Sequence, residues 1–86
     1  IFQNVARNWE IMAMIKVGQI FELAVTKGRV VVIRVDETKS PFSWVYFIFP
    51  NGYTERLWKK TVQTELKLIA EYPTWQEAVN SEEFKK

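Results

Sequence analysis

The side chains that could move protons in this sequence are carboxylates. One Asp and nine Glu stand beside twelve Lys and Arg, with no His and no Cys. Two adjacent acid pairs are the first candidates: Asp36-Glu37 in the polar run DETKSP, and Glu82-Glu83 near the end of the chain. A carboxylate becomes a general acid only where burial or a like charge lifts its pKa, and neither solvated run supplies that. Without His or Cys there is no thiol nucleophile, imidazole base, Ser-His-Asp triad or His/Cys metal site. The glycines Gly18, Gly28 and Gly52 stand apart at expected bends, so no glycine-rich phosphate loop exists. The sequence reads as a non-enzyme with no metal and no cofactor.

What remains to do chemistry is binding, by aromatic rings and cations. Of the 86 residues, 48% are hydrophobic and 15% aromatic, with a net charge of +2. A chain this short buries only roughly 60–65% of its unfolded surface, so it needs a dense core and has apolar residues to spare. That surplus points to a sticky face or a homodimer. The apolar content and low net charge exclude disorder. The longest strongly apolar run, WVYFIF, is far shorter than the roughly 20 residues of a spanning helix, and no signal-peptide pattern is present. A cytoplasmic protein with no membrane partner is expected.

The elements that position these rings are short. Residues 1–14 carry Ile1, Phe2, Val5, Trp9 and Met12 at helix-like spacing, which predicts a short amphipathic N-terminal helix. The alternative is a leader that is not native. Trp9-Glu10 is encoded by TGG and then GAA or GAG, which resembles a bacterial ribosome-binding sequence ahead of Met14 and would place the start at Met12 or Met14. From Ile15 the chain turns β-rich. IKVGQIFELAV, RVVVIRV and FSWVYFIF predict three strands, with a turn at TKG and a polar loop at DETKSP. Asn51-Gly52 is a type I′ turn dipeptide and predicts a hairpin to YTERLW. KKTVQTELKLIAEY fits either one helix or a helical turn over 59–63 followed by a strand over 65–71; the second reading completes a five-stranded antiparallel sheet. Thr74, with Glu77 three residues on, opens a helix over 74–86. One domain is expected, 1–86: residues 1–14 as leader or helix, a small SH3-like or OB-like barrel over 15–73, and the terminal helix. The class is α+β.

Pairing across a two-residue turn sets Phe49 opposite Thr54, Phe47 opposite Arg56 and Val45 opposite Trp58, a core-like set. The other face then carries Trp44, Tyr46, Ile48, Tyr53, Glu55, Leu57 and Lys59. Three readings of that face stay open. It is covered by a helix, or it anchors a protein partner as Trp, Tyr and Arg commonly do. Alternatively Trp44 and Tyr46 stack bases while Lys59, Lys60, Arg34 and Lys16 meet phosphates. The basic residues are dispersed, although the sequence pI is near 9.0, so charge does not choose among them.

The tail LIAEYPTWQEAVNSEEF resembles the C-termini of short phage and prophage proteins of Gram-positive bacteria, which often end in Trp-x-x-Ala-x-x-Ser-x-x-Phe. Here that pattern falls on Trp75, Ala78, Ser81 and Phe84. The resemblance implies an accessory protein that binds or inhibits a host enzyme, a defence complex or the transcription machinery. Together these observations predict a non-catalytic module for a host or phage protein. A nucleic-acid-binding barrel and a structural homo-oligomer subunit are the alternatives.

Overall fold

Runs of β-branched and aromatic residues bounded by Gly, Pro and polar residues favour extended backbone. The computed structural model, which describes residues 15–36 and 42–85, places five strands there. They are β1 Gln19–Glu22, β2 Arg29–Val35, β3 Trp44–Ile48, β4 Thr54–Trp58 and β5 Lys67–Glu71. All pairings are antiparallel, in the order β4-β3-β2-β1-β5. Strands β1 to β4 form a meander. The chain then crosses beneath the sheet through α1, Lys59–Glu65, and returns as β5 beside β1.

The α+β class and the five antiparallel strands are as expected, and the helical turn and strand over 59–71 appear as α1 and β5. The barrel does not close. β4 and β5 are the two edges of an open sheet, because α1 carries the chain from one to the other without pairing them. The turn before β2 forms as expected, with Lys27 rather than Gly28 holding the positive φ, 61°. The expected helix over 1–14 and the loop residues 37–41 lie outside the described residues. Among the described residues no helix is long and apolar enough to cross a membrane.

Successive side chains of a strand point to opposite faces, so the sheet feeds two cores. On one face Phe21, Val30, Val32, Val45 and Phe47 pack with Ile15, Val62 of α1 and Leu66 just after it. Phe21 and Phe47 meet edge to face, with centroids 6.2 Å apart. Each such side chain contributes about 1.5–3 kcal/mol on burial. On the other face Ile20 and Val31 lie under Ala78 and Phe84.

Ala78 and Phe84 come from two short helices, α2 (Trp75–Val79) and α3 (Glu82–Lys85), where a single helix over 74–86 was expected. The expected cap is there: the Glu77 amide donates to Thr74 Oγ1 at 3.2 Å. A second cap then interrupts the helix. The Phe84 amide donates to Ser81 Oγ at 3.3 Å, and that hydroxyl donates to the Ala78 carbonyl at 2.6 Å. The break has a clear geometric use. Nine residues of continuous helix turn through roughly 180° relative to their start, so Phe84 would face away from the side on which Trp75 packs. With the break, both reach the same core.

Two contacts tie the last elements to the sheet. Arg29 Nη1 donates to the Glu83 carbonyl at 2.6 Å, and the Tyr72 hydroxyl donates to the Glu83 carboxylate. Further back, Gly18 threads between strands: its amide donates to the Val32 carbonyl at 2.9 Å, and its carbonyl accepts from Tyr72 at 3.0 Å. Gly18 sits at φ +96°, and a Cβ there would lie 2.1 Å from the Tyr72 carbonyl oxygen. Gly18→Ala should therefore lower stability by about 2 kcal/mol or more, read as a shift of the urea midpoint.

Tyr72 gives a pH prediction. Its hydrogen bond to Glu83 raises the phenol above its ordinary 10.0. A pKa raised on folding means the folded state holds the proton longer, so the contribution is intact below about pH 10 and is lost as pH rises beyond it. Urea melts across that range should show the stability gap between wild type and Tyr72→Phe narrowing at the alkaline end. A constant gap would mean that the hydrogen bond contributes nothing.

Candidate functional site

The site is made by the turn between β3 and β4. Pro fixes its own φ near −65°, which suits the first central position of a type I turn. Pro50 takes that position: the Gly52 amide donates to the Phe49 carbonyl at 2.9 Å, and Gly52 itself adopts φ +87°. This is a three-residue loop, a type I turn followed by a left-handed glycine. The Asn51 side chain supports it by accepting from the Tyr53 amide at 3.0 Å. The expected type I′ turn needs positive φ at Asn51 as well, and among the described residues the only non-glycine with positive φ is Lys27.

The extra loop residue moves the pairing by one. Trp44 lies opposite Trp58, Val45 opposite Leu57, Tyr46 opposite Arg56, Phe47 opposite Glu55 and Ile48 opposite Thr54. Such a slip carries every side chain of one strand to the other face. Of the expected face, Trp44, Tyr46 and Ile48 remain, Tyr53, Glu55 and Leu57 move to the side of α1, and Lys59 begins α1 itself. Leu57 joins the Val45 and Phe47 core. Tyr53 packs its ring on Phe49 at 5.7 Å and donates its hydroxyl to Glu55 Oε2 at 3.2 Å, a bond that raises its pKa. The Lys59 amide donates to the Ser43 carbonyl, and Lys60 is exposed on α1. Lys16 lies at the far edge, in a depression of about 330 Å³ with Val17, Glu71, Tyr72 and Pro73.

Arg34 stays with the aromatic pair because of a bulge. Plain alternation would put it on the same side as Val32. The register shifts between Val32 and Arg34, and Arg34 pairs with Tyr46 instead. Its guanidinium lies 5.2 Å from the Tyr46 ring centroid. The residues that sequence reasoning missed are Arg56, Trp58 and Phe42. Arg56 lies over Trp44 at 4.2 Å. Trp44 and Trp58 are 6.0 Å apart at an interplanar angle of 39°, and Phe42 meets Trp58 edge-on at 5.3 Å. Pro50 was the signal that could have found the first two, since it favours the longer loop.

The result is a continuous strip across β2, β3 and β4, with cations stacked on rings. Phe42 is 56% exposed and Trp58 44%, and both arginines are exposed. The terminal helices pack over β1 and β2, reach Ile48 at the end of β3, and leave the rest of the β3–β4 half of this face uncovered by α2 and α3. Neither arginine has a carboxylate partner among the described residues. Asp36 is close by, but it is engaged elsewhere: its carboxylate accepts the Trp44 amide at 3.1 Å, and its own amide donates to the Trp44 carbonyl at 3.0 Å. A shallow depression of about 240 Å³ lies between Tyr46, Thr54, Glu55 and Arg56.

One member of each acid pair serves the fold. Asp36 closes the end of the β2–β3 hairpin, Glu83 holds Tyr72, and Glu37 lies outside the described residues. Among the described residues no group of three His, Cys, Asp or Glu could hold a metal ion. The fold and site together define a small open-sheet α+β domain with an aromatic–arginine face. Compared with family models, curated proteins and solved structures, the chain matches none.

The register is open to a direct spectroscopic test. Two indoles 6 Å apart should give an exciton couplet in far-ultraviolet circular dichroism. That couplet should vanish in both Trp44→Phe and Trp58→Phe. With Trp58 opposite Val45, the indoles would lie on opposite faces and no couplet would arise.

Proposed function

We propose that this protein is a non-catalytic binding module that engages a protein partner through the β3–β4 face. The observation that carries this reading is the strip Arg34, Tyr46, Arg56, Trp44 and Trp58, stacked in one layer beside the helices. Trp, Tyr and Arg carry most of the energy at protein interfaces. Rings already stacked on one another lose little side-chain freedom when a partner arrives. Two guanidinium groups that face no carboxylate among the described residues favour an acidic partner surface. In the context implied by the tail, that partner is a host or phage complex in the bacterial cytoplasm, on which the protein acts as an accessory or inhibitor.

The same strip supports a second reading, single-stranded nucleic acid stacked on the rings with the arginines on its phosphates. Dispersed lysines and a net charge of only +2 weigh against it, as does the placement of both arginines over the rings that bases would use.

A photo-crosslinking residue in place of Thr54, at the border of the strip, separates the two readings. In bacterial lysate a discrete protein adduct is expected, reduced about tenfold or more by Trp58→Ala and by Arg56→Ala. Adducts indifferent to both substitutions would sink the proposal. Saturable, salt-weakened binding of labelled single-stranded oligonucleotides would transfer the face to the second reading.

A further inference from the structure

β4 is an edge strand, and its outward backbone and its binding face belong to the same residues. The Lys59 amide donates to the Ser43 carbonyl at 2.9 Å, and the Phe49 amide to the Tyr53 carbonyl at 2.8 Å. Pairs 43–59 and 49–53 are therefore hydrogen-bonded. Antiparallel ladders alternate bonded and non-bonded pairs, and the β3–β4 register is unbroken. Glu55 and Leu57 thus turn their backbone groups toward β3, while Thr54, Arg56 and Trp58 turn theirs outward. Among the described residues no strand pairs with that edge. The Arg56 amide donates to Glu55 Oε1 at 3.3 Å, a bond to a side chain of the strand itself that an incoming carbonyl would replace.

Edges that avoid pairing carry charges, lysine above all, or proline, a bulge or an inward-pointing charge. β4, Thr-Glu-Arg-Leu-Trp, has no Lys and no Pro, and its pairing with β3 is regular where the β1–β5 and β2–β3 pairings are irregular. Its two charges are of opposite sign on opposite faces, which selects among incoming strands. A second copy of this chain is selected against. Antiparallel pairing of β4 with itself must match outward residues with outward residues. The fullest register, which pairs all of β4, then sets Arg56 against Arg56 of the second copy; of the two shorter ones, the first sets Glu55 against its Glu55 and the second pairs only Arg56 to Trp58. Like charges directly opposite are destabilising.

We infer that β4 receives an extended acidic segment of a partner protein as a sixth strand. This deepens the protein-binding reading and rests on it. An acid opposite Arg56 meets a cation that has no carboxylate partner among the described residues, and an aromatic or aliphatic residue opposite Trp58 extends the ring stack. An apolar residue opposite Leu57 covers the far side, while main-chain bonds to Thr54, Arg56 and Trp58 supply affinity that is indifferent to sequence.

The probe is a labelled peptide with the core Phe-Val-Glu-Thr, written to lie antiparallel to Trp58, Leu57, Arg56 and Glu55. It is compared with a version carrying Lys for Glu and a version N-methylated at the Glu amide, the group that would donate to the Arg56 carbonyl. Anisotropy should show saturable binding of the first peptide, weakened about tenfold or more by either change. Amide exchange at Thr54 and Trp58 should slow on binding. Arg56→Glu, checked for unchanged thermal unfolding, should reverse the preference toward the Lys peptide. No binding at millimolar peptide overturns the inference, and so does equal binding of the Lys version. If N-methylation changes nothing, or Thr54 and Trp58 stay unprotected, strand addition is wrong although the face still binds. The lysate adducts at position 54 report on the face without any peptide, so the two ideas fail separately.

Discussion

The Pro50-Asn51-Gly52 loop decides what the second half of this molecule presents to solvent. With Pro50 holding the first turn position and Gly52 taking the left-handed conformation, β4 can return only in the register that sets Trp58 opposite Trp44. Everything after it inherits that choice. Leu57 points into the core on the side of α1, the chain leaves β4 on that side, and α1 seals it with Val62 before β5 joins β1. A loop one residue shorter would bury Trp58 and Arg56 against the core and turn Leu57 outward. Burying a guanidinium without a partner is costly, so the register is held by the core as well as by the loop.

The aromatic–arginine face lies open because the terminal helices are too short to cover the sheet. Five strands about 4.8 Å apart make a sheet roughly 19 Å wide. At about 1.5 Å per residue, α2 and α3 extend only roughly 8 and 6 Å. Set side by side over β1 and β2, they close the core around Ile20 and Val31 and stop there. The helix break at Asn80 and Ser81 makes the most of this short length, since it returns Phe84 to the sheet instead of running the helix out into solvent. The C-terminal segment is thus a lid over half of one face. Its carboxylates are not aimed at a partner throughout: Glu83 is bound by Tyr72.

Features carried by local chemistry were legible in the sequence. β-branched runs marked the strands, Thr74 with Glu77 marked a helix start, and alternation put Val45 and Phe47 in the core. The misread features depend on competition between signals or on distant contacts. Asn51-Gly52 alone argues for a two-residue turn, and Pro50 outweighs it. Ser81 three residues before Phe84 was a second cap, hidden by reading the segment as one amphipathic helix. The bulge that turns Arg34 toward Tyr46 has no local mark in RVVVIRV, because it reconciles two registers set elsewhere. Closure of the barrel was beyond the pattern for a related reason: it depends on whether two edges meet, and α1 keeps β4 and β5 apart.

The stacked arginines explain how such a face can stay in water. Trp44 and Tyr46 left bare would form an apolar patch of the kind that drives association. Arg56 and Arg34 lie over those rings and present hydrated cations in their place. An exposed cation–π contact contributes only about 0.5–1 kcal/mol, whereas a residue central to an interface commonly contributes about 2 kcal/mol or more. The difference sets the direction of change. In the proposed function, a carboxylate arriving from a partner would draw a guanidinium aside at small cost, and the ring beneath would become available as the charge is matched. Ring and cation would then work as a unit, shielding the face when it is free and recognising acid and apolar surface together when it is bound.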